Sequence, residues 1–529
     1  MTTIAHPVRL YYHTDPLLRV SELRTAEISS IKTLPPHTLM TRAGTSVARW
    51  LLERLDEVRS SKLSKSESNI IWFAIGPGNN GGDALVAATR LHQLGIQVEA
   101  CVPIDTRHKD ALWALSLART AGVQISKELP LSLEHYAWVV DGLFGTGLTN
   151  PLCGIFAEIA TRIAARTKFF GRVLSIDIPS GLNSDTGEIV GGKVSVKATH
   201  TLTFIAAKPG LYMNDGRDLA GEIEVMQLDV SIHDSPSIHL ASHNLFLNSL
   251  PERPFRSNKG TFGSLAVIGG NIGMSGALIL TARAALFAGT GKVHIGFVGK
   301  NTQQIYDPLF PELMLNSASS LQLDKITAIV IGPGLGKCEE AISIVHNVIE
   351  TNATILFDAD GLNIIAAHPS LIELVALRKI GTCILTPHPL EAARLLGSDK
   401  AVTIQYDRIT TAQTLAARFK SIVVLKGIGT VIASPDGRLI INPTGNAALA
   451  TSGTGDILSG IIGALLAQRV PAYEAAIAAV YLHGLAADVL VSKGIGPSGV
   501  TSKELTMMVR KLLNQITYFG SFQELSTPV

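Results

Sequence analysis

The sequence predicts an α/β protein of two domains. Short Val- and Ile-rich runs alternate with longer helical patterns, glycine turns follow the ends of many runs, and one aperiodic segment parts the chain into two such series. In the first series the predicted strands are 69–75, 97–103, 138–141, 172–176 and 200–205. In the second they are 264–269, 292–298, 328–331, 354–358, 382–385 and 422–426. Runs this apolar, with helices such as 84–94 and 390–396 between them, fit parallel strands covered on both faces. Between Ser231 and Lys259 the pattern fades into a stretch with Pro236, Pro251 and Pro254, which places a first domain at 1–235, a linker at 236–258 and a second domain at 259–520.

Composition narrows the function. The 529 residues are 46% apolar and 17% charged, with 48 Gly and a formal net charge of +2, so a folded, glycine-punctuated chain is expected. No basic block could neutralise a run of phosphates, which argues against a nucleic-acid partner. The longest weakly polar stretch, 475–491, carries His483 and Asp488, so no membrane span is predicted. The N-terminus lacks a secretory pattern and a cytoplasmic location is expected. Cys101, Cys153, Cys338 and Cys383 have neither zinc-type nor CxxC spacing and are expected to be buried thiols.

The first glycine segment, Gly76 to Asp83 (GPGNNGGD), follows a strand and opens a helix, a context in which backbone N–H groups converge on a ligand. It also matches GxGxxG, with Glu99 further on, but Asp83 at the first helical turn would repel a pyrophosphate. A cation or ligand hydroxyls suit Asn79, Asn80 and Asp83 better, and simple helix capping is the competing reading. Asp141 opens DGLFGTGL and Asp177 opens DIPSGL, each at a strand's carboxyl end. Asn80, Asp141, Asp177 and Ser180 could therefore converge in one crevice and offer oxygens to a hard cation.

In the second half the strongest segment is Asn446 to Asp456, whose Gly453 and Gly455 let backbone N–H groups form an anion hole at a helix start. Asp456 beside that hole is unfavourable near phosphate unless it handles a proton at the reacting oxygen. GPGLG at 332–336 and KGIGT at 426–430 offer close backbone approach, and Lys426 could meet a phosphate. No GxxxxGK[ST] occurs, so a nucleotide would be held by a glycine turn plus the anion hole. His388, between two prolines, is rigidly mounted for a ligand or serves structure. Asp358 and Asp360 could shape the substrate edge, hold water around magnesium, or cap a helix.

Together these motifs carry a family resemblance. GPGNNGGD, DGLFGTGL, DIPSGL and KPG (208–210) resemble the NAD(P)H-hydrate epimerase domain. KGTF (259–262), GPGLG, TPHPLE (386–391), KGIGT and GTGD (453–456) resemble the ADP/ATP-dependent NAD(P)H-hydrate dehydratases. The order is that of the fused bacterial repair enzymes. The resemblance implies an N-terminal Rossmann-like three-layer sandwich and a C-terminal ribokinase-like three-layer sandwich. The first domain would interconvert R and S epimers of hydrated NADH and NADPH. The second would phosphorylate the S epimer from ADP and eliminate phosphate, giving NAD(P)H and AMP.

By motif match Asn79, Asn80, Gly81, Gly82, Asp83, Gly145, Thr146, Gly147, Leu148, Thr149, Asn150, Pro151 and Asp177 would contact the hydrate in the first domain, Asp177 catalytically. Potassium would be held by Asn80, Asp141 and Ser180. In the second domain Ala277, Gly334, Gly336, His388 and Asp456 would contact the hydrate, with Asp456 transferring the proton. Lys426, Gly427, Ile428, Gly429, Thr430, Asn446, Gly453, Thr454 and Gly455 would surround the nucleotide, with magnesium shielding the charge. A homo-oligomer is expected. Arg42, Ala84 and Gly361 depart from the family pattern, Arg42 and Ala84 where they could weaken the first site. The competing readings are a small-molecule kinase, which would release a stable phosphorylated product, and a first domain that binds hydrate without epimerising it.

Overall fold

In the computed structural model, residues 8–11, 13–60, 69–106, 108–167, 171–232, 236–299 and 306–520 are described, with the side chains of 56–60 left aside. Residues 1–7 and 12 of the N-terminal stretch and the end of the first predicted domain, 233–235, lie outside them. Contacts divide the chain into one unit of Pro16–Pro236 and another of Ser237 onward, joined by the residues before Pro16.

The first unit is built on a seven-stranded parallel sheet. Its order is Gln124–Ser126, Val98–Cys101, Ile71–Ile75, Trp138–Gly142, Val173–Ile176, His200–Phe204 and Glu222–Met226. The chain runs outward from Ile71–Ile75 in one direction, then returns to build the other side from Trp138–Gly142. The two strands are adjacent, with Ile75 opposite Gly142, so the switch point where α/β ligands lodge falls where GPGNNGGD meets DGLFGTGL. Gly76 is required there: a Cβ would lie 1.6 Å from the Leu143 carbonyl oxygen. The predicted strands of this half all exist, each within one or two residues of the expected ends. The edge strands Gln124–Ser126 and Glu222–Met226 were not predicted, because their exposed or half-exposed residues give no apolar run.

The helix after the first glycine turn spans Asn79–Gln93, five residues earlier than the sequence suggests. Asn80 to Asp83 therefore form its first turn instead of a loop. Gly81 and Gly82 serve packing: a Cβ on Gly81 would be 2.0 Å from the Gly76 oxygen, and one on Gly82 2.3 Å from Met40 Cε.

The second unit carries strands in the order Ile238–Leu240, Leu439–Ile441, Val431–Ala433, Ile422–Leu425, Cys383–Leu385, Thr354–Phe357, Ala328–Ile331, Ser264–Gly269, Lys292–Phe297 and Met314–Ser317. All pair in parallel except around Val431–Ala433, which is antiparallel to both neighbours. The stretch assigned as a linker is part of this unit. Ile238–Leu240 pairs with Leu439–Ile441, the Leu240 N–H donates to the Asp15 carbonyl at 2.9 Å, and Phe246 is fully buried beside Tyr481. Its prolines and polar residues hid a three-residue strand too short to show periodicity.

Helix Thr454–Ala467 lies on this sheet with glycines at its contacts; a Cβ on Gly460 would be 2.2 Å from the Thr281 oxygen, and one on Gly463 2.4 Å from Val330. Helix Ala472–Ser492 is long and apolar enough to cross a membrane, and it is buried in the core of the unit. Of the cysteines, Cys101 and Cys383 are buried, whereas Cys153 and Cys338 are exposed free thiols next to helix starts, against the expectation.

Candidate active sites

The first site is held together by two carboxylates of opposite character. Asp141, fully buried at the end of its strand, accepts from the Ser180 hydroxyl at 2.6 Å, the Ser180 N–H at 2.9 Å, the Ser175 hydroxyl at 2.8 Å and the Leu143 N–H at 3.2 Å. Burial nevertheless pushes its carboxyl upward, against the pull of those donors. Ser180 also receives the Phe144 N–H at 2.9 Å, so DGLFGTGL and DIPSGL are tied into one surface. Asp177 departs from its strand with φ of 69°, a left-handed conformation that turns its side chain into the crevice. There it meets the fully buried Lys208 ammonium at 2.5 Å, which also donates to Thr203 at 2.7 Å and the Phe204 carbonyl at 2.9 Å.

A Cβ on Gly145 would fall 3.2 Å from Asp177 Oδ2 and 3.5 Å from Asn80 Oδ1, so Asn80, Asp177 and Gly145 do converge. The buried Asn80 Nδ2 has no partner. Asp83 is pushed well above the carboxylate range by burial, then by Asp177 and Glu27. Gly147, Thr149, Asn150 and Pro151 lie exposed, with Thr146 and Leu148 half-buried along the same loop. The departures fall elsewhere. Arg42 donates to the Leu228 carbonyl at 2.8 Å, and the buried Ala84 methyl packs on Gly142.

The second site gathers at the carboxyl edge of its sheet. Gly453, with φ of 89°, starts helix Thr454–Ala467, and no side chain caps that terminus, leaving its N–H groups directed outward. Asp456 sits half-buried in the first turn; burial and then Asp358 push its carboxyl up to about 7 while Lys426 pulls it down. Lys426, which the sequence offers to a phosphate, donates to Asp358 Oδ1 at 2.7 Å, and a Cβ on Gly455 would be 3.9 Å from its Nζ. Burial opposes the Lys426 charge, and Asp358 and Glu391 more than offset it, so the ammonium is held more firmly. Asp358 accepts from the Ser459 hydroxyl at 2.7 Å as well, and despite burial Lys426 holds it below the usual range. Asp358 is thus an ion-pair member. Asp360 braces the glycine loop, accepting the Gly336 N–H at 3.0 Å.

That loop is stitched to the start of helix Ser275–Phe287, which bears Ala277. Asn271 N–H donates to the Gly334 carbonyl at 2.7 Å, and a Cβ on Gly334 would lie 2.5 Å from the Met274 oxygen. His388 Nδ1 accepts the N–H groups of Leu390 and Glu391 at 3.1 and 3.3 Å, which leaves Nε2 to face Glu391 Oε1 at 3.2 Å. Burial, then Lys426, lowers the imidazole, and burial lifts Glu391 to about 7. The turn 426–430 is fixed from beneath by the buried Arg408, which donates to the Leu425 carbonyl at 3.0 Å and to that of Ile428, leaving the Ile428 side chain exposed. Asp488 accepts the Gly445 N–H at 2.9 Å and the Asn446 side-chain amide at 2.8 Å. Sequence reasoning gave no role to Ser459, Glu391, Arg408 or Asp488; for Asp488 the signal was a carboxylate inside an apolar helix.

Two α/β units, one with polar groups converging at a topological switch point and the other with an uncapped helix start beside a carboxylate, define an enzyme with two active centres, the second suited to phosphate. The YjeF-related protein N-terminus family matches residues 36–210, and the NAD(P)H-hydrate dehydratase family matches 265–510. The bifunctional NAD(P)H-hydrate repair enzyme Nnr of Coxiella burnetii is 35% identical over 90% of this chain and 95% of its own length. The ADP-dependent (S)-NAD(P)H-hydrate dehydratase of Neisseria meningitidis is 45% identical over 49% of this chain and 88% of its own. A solved structure, the ADP/ATP-dependent NAD(P)H-hydrate dehydratase from Bacillus subtilis co-crystallised with ATP and Mg2+, is 33% identical over 51% of this chain and 95% of its own, at a TM-score of 0.45. This chain belongs to the bifunctional NAD(P)H-hydrate repair enzyme family.

Proposed function

We propose that the chain repairs hydrated NADH and NADPH, epimerising R and S hydrates in the first unit and dehydrating the S epimer at the cost of ADP in the second. The observation that carries the second step is Asp456, a carboxyl poised near 7 at an uncapped helix start, whose neighbour Gly455 approaches a lysine already paired elsewhere. A base with that affinity takes the hydroxyl proton as the oxygen bonds to the β-phosphorus of ADP and AMP leaves. Loss of phosphate from the ring carbon and of a proton from its neighbour then restores the double bond of NAD(P)H. The outward N–H groups of Gly455 and Asp456 suit the phosphates, and Ile428 offers an apolar face to the adenine. ADP as donor is supported by the name of the Neisseria relative.

Among the described residues no three His, Cys, Asp or Glu converge as metal ligands, so magnesium fits here as a companion of the nucleotide phosphates, where it would neutralise charge. In the first unit potassium fits Asn80, Asp141 and Ser180. The Asn80 amide, whose Nδ2 has no partner, can be turned to present its oxygen, and with the oxygens of Asp141 and Ser180 it would supply the donor set of a monovalent cation. It would organise the loops around Asp177, the residue we assign to proton exchange with the ring hydroxyl, with Lys208 holding it in place.

The test is Asp456→Asn given S hydrate, ADP and magnesium. NAD(P)H absorbance and AMP release should fall by about 10³-fold while ADP binding is kept. Turnover within a factor of two of the parent refutes the assignment. A phosphorylated hydrate that accumulates without restored absorbance in the parent would make the second unit a kinase.

A further inference from the structure

The first site has a wall that none of its glycine motifs contains. Helix Val20–Ile31 precedes residue 36, where the family match of this half begins, yet it is tied to the loops of the site on two sides. The Leu18 N–H donates to the Ala207 carbonyl at 3.0 Å, one residue before Lys208. The Val20 N–H donates to Asp185 Oδ1 at 2.9 Å, in the turn directly after DIPSGL, and Asn183 closes that turn by accepting the N–H groups of Asp185 and Thr186. With Leu23 and Ala26 buried, Arg24 and Glu27 share one face, three residues apart.

That face looks onto the substrate loop. Arg24 Nη2 lies 3.8 Å from where a Cβ on Gly147 would be, while Gly145 of the same loop abuts Asp177 and Asn80. Glu27 shares its surroundings with Asp177, Lys208, Arg24 and Asp83. Burial and then Asp177 push its carboxyl upward, Lys208 and Arg24 draw it down, and Glu27 in turn raises Asp83. Glu27, half-buried three residues after Arg24 on the face that reaches the Gly147 loop, is therefore held at the crevice of Asp177 and Lys208.

Epimerisation by exchange of the hydroxyl has a requirement that one carboxyl does not meet. A carboxylic acid donates its proton to the ring hydroxyl, the carbon–oxygen bond breaks and water departs, and the lone pair of the ring nitrogen closes a carbon–nitrogen double bond. Water then adds to the other face of that carbon and gives its proton to a carboxylate, so one proton is lent and one returned, with no oxidant or reductant. Donor and acceptor stand on opposite faces of a flat ring, and their roles exchange in the reverse direction.

We infer that Glu27 is the second catalytic carboxyl of this site, paired with Asp177 across the ring, and that Arg24 beside Gly147 receives the anionic pyrophosphate of the dinucleotide. This assignment rests on the epimerase reading of the first unit. The experiment uses the full chain and pure R hydrate, with epimerisation followed above the uncatalysed rate and the melt of the first unit followed by its tryptophans, since Trp50, Trp72, Trp113 and Trp138 all lie there. Glu27→Gln should lower kcat for R to S by about 10²-fold with KM changed less than threefold and the tryptophan melt unmoved. Arg24→Ala should instead raise KM with kcat nearly kept. Should the Gln variant melt early, Glu27→Ala is assayed with added formate: partial restoration of rate supports the role, and no restoration overturns it. A parent chain that epimerises while Glu27→Gln stays within twofold of it overturns the role of Glu27 alone. A parent chain that leaves R hydrate at the uncatalysed rate overturns the epimerase reading itself.

Discussion

On the proposed function both sites face the same task, moving a proton at a hydroxyl inside a partly dry crevice, and they meet it with opposite charge arrangements. In the first unit Glu27 and Asp83 lie near Asp177, which is paired with the buried Lys208, so negative charge is in excess and Glu27 and Asp83 hold their protons more tightly than usual. In the second unit Lys426 and Asp358 neutralise each other, and Asp456 stands beside the pair at the helix start while Glu391 is engaged by His388. A reversible isomerisation needs an acid and a base at once, which a crowded carboxyl cluster supplies because not all its members can ionise. A transfer driven by a nucleotide needs one base with affinity near the working pH, which an otherwise neutral surround supplies.

The comparison can be broken at its strongest point by removing the shared lysine. Lys208→Met leaves Asp177 in the crevice without its cation, which should abolish epimerisation and destabilise the first unit by about 3–5 kcal/mol. Tryptophan-detected denaturation measures this, and S hydrate dehydration should continue. An unchanged melt would mean that the pair is dispensable.

Next in size is the pH dependence of the second site. Because folding raises the Asp456 carboxyl to about 7, the basic form is scarce below that pH, and kcat/KM for S hydrate should rise about tenfold per pH unit up to about 7 and then level. The stability sign is opposite. A carboxyl raised by folding favours the native state while protonated, and that contribution is lost as pH rises through about 7, so Asp456→Asn should melt higher than the parent at pH 8 and alike near pH 3.5. Glu391 is also lifted to about 7, so Glu391→Gln is the control: it should share the stability effect and leave the activity limb in place.

A smaller effect sharpens the ion-pair argument. Asp358→Asn removes the negative charge that raises Asp456 and frees Lys426 to draw it down, so the activity limb should move below pH 7. A limb that stays at its parent position would separate Asp456 from the pair. Smallest is Gly361→Ala. Its Cβ would stand 2.8 Å from the Ile331 carbonyl oxygen, so the strand end must shift, at about 1–2 kcal/mol in chemical denaturation.

Much of the frame was legible because buried parallel strands advertise themselves as continuous apolar runs, and Ser264–Gly269 and Ala328–Ile331 were read to the residue. Strands at the margins were not, since Met314–Ser317 and Glu222–Met226 are exposed or half-exposed and Ile238–Leu240 has three residues. The site motifs were legible as segments, yet their roles were assigned one residue at a time. Lys426 reads as a phosphate ligand when it stands alone, and its partner Asp358 lies 68 positions away. Gly81 and Gly82 read as loop residues, whereas the packing of helix on strand and on Met40 explains them.

The sequence by itself determined the α/β class, the division into two series, and the identity of the groups able to do chemistry, because apolar run length and glycine placement are local properties. Only the tertiary structure decided which charges face one another: Asp177 with Lys208, Asp358 with Lys426, and Arg24 over a glycine loop more than a hundred residues distant. The affinity of a carboxyl for its proton depends on burial and on neighbours brought in by the fold. The chemistry of Asp456 and of Glu27 therefore follows from packing that their own sequence segments do not encode.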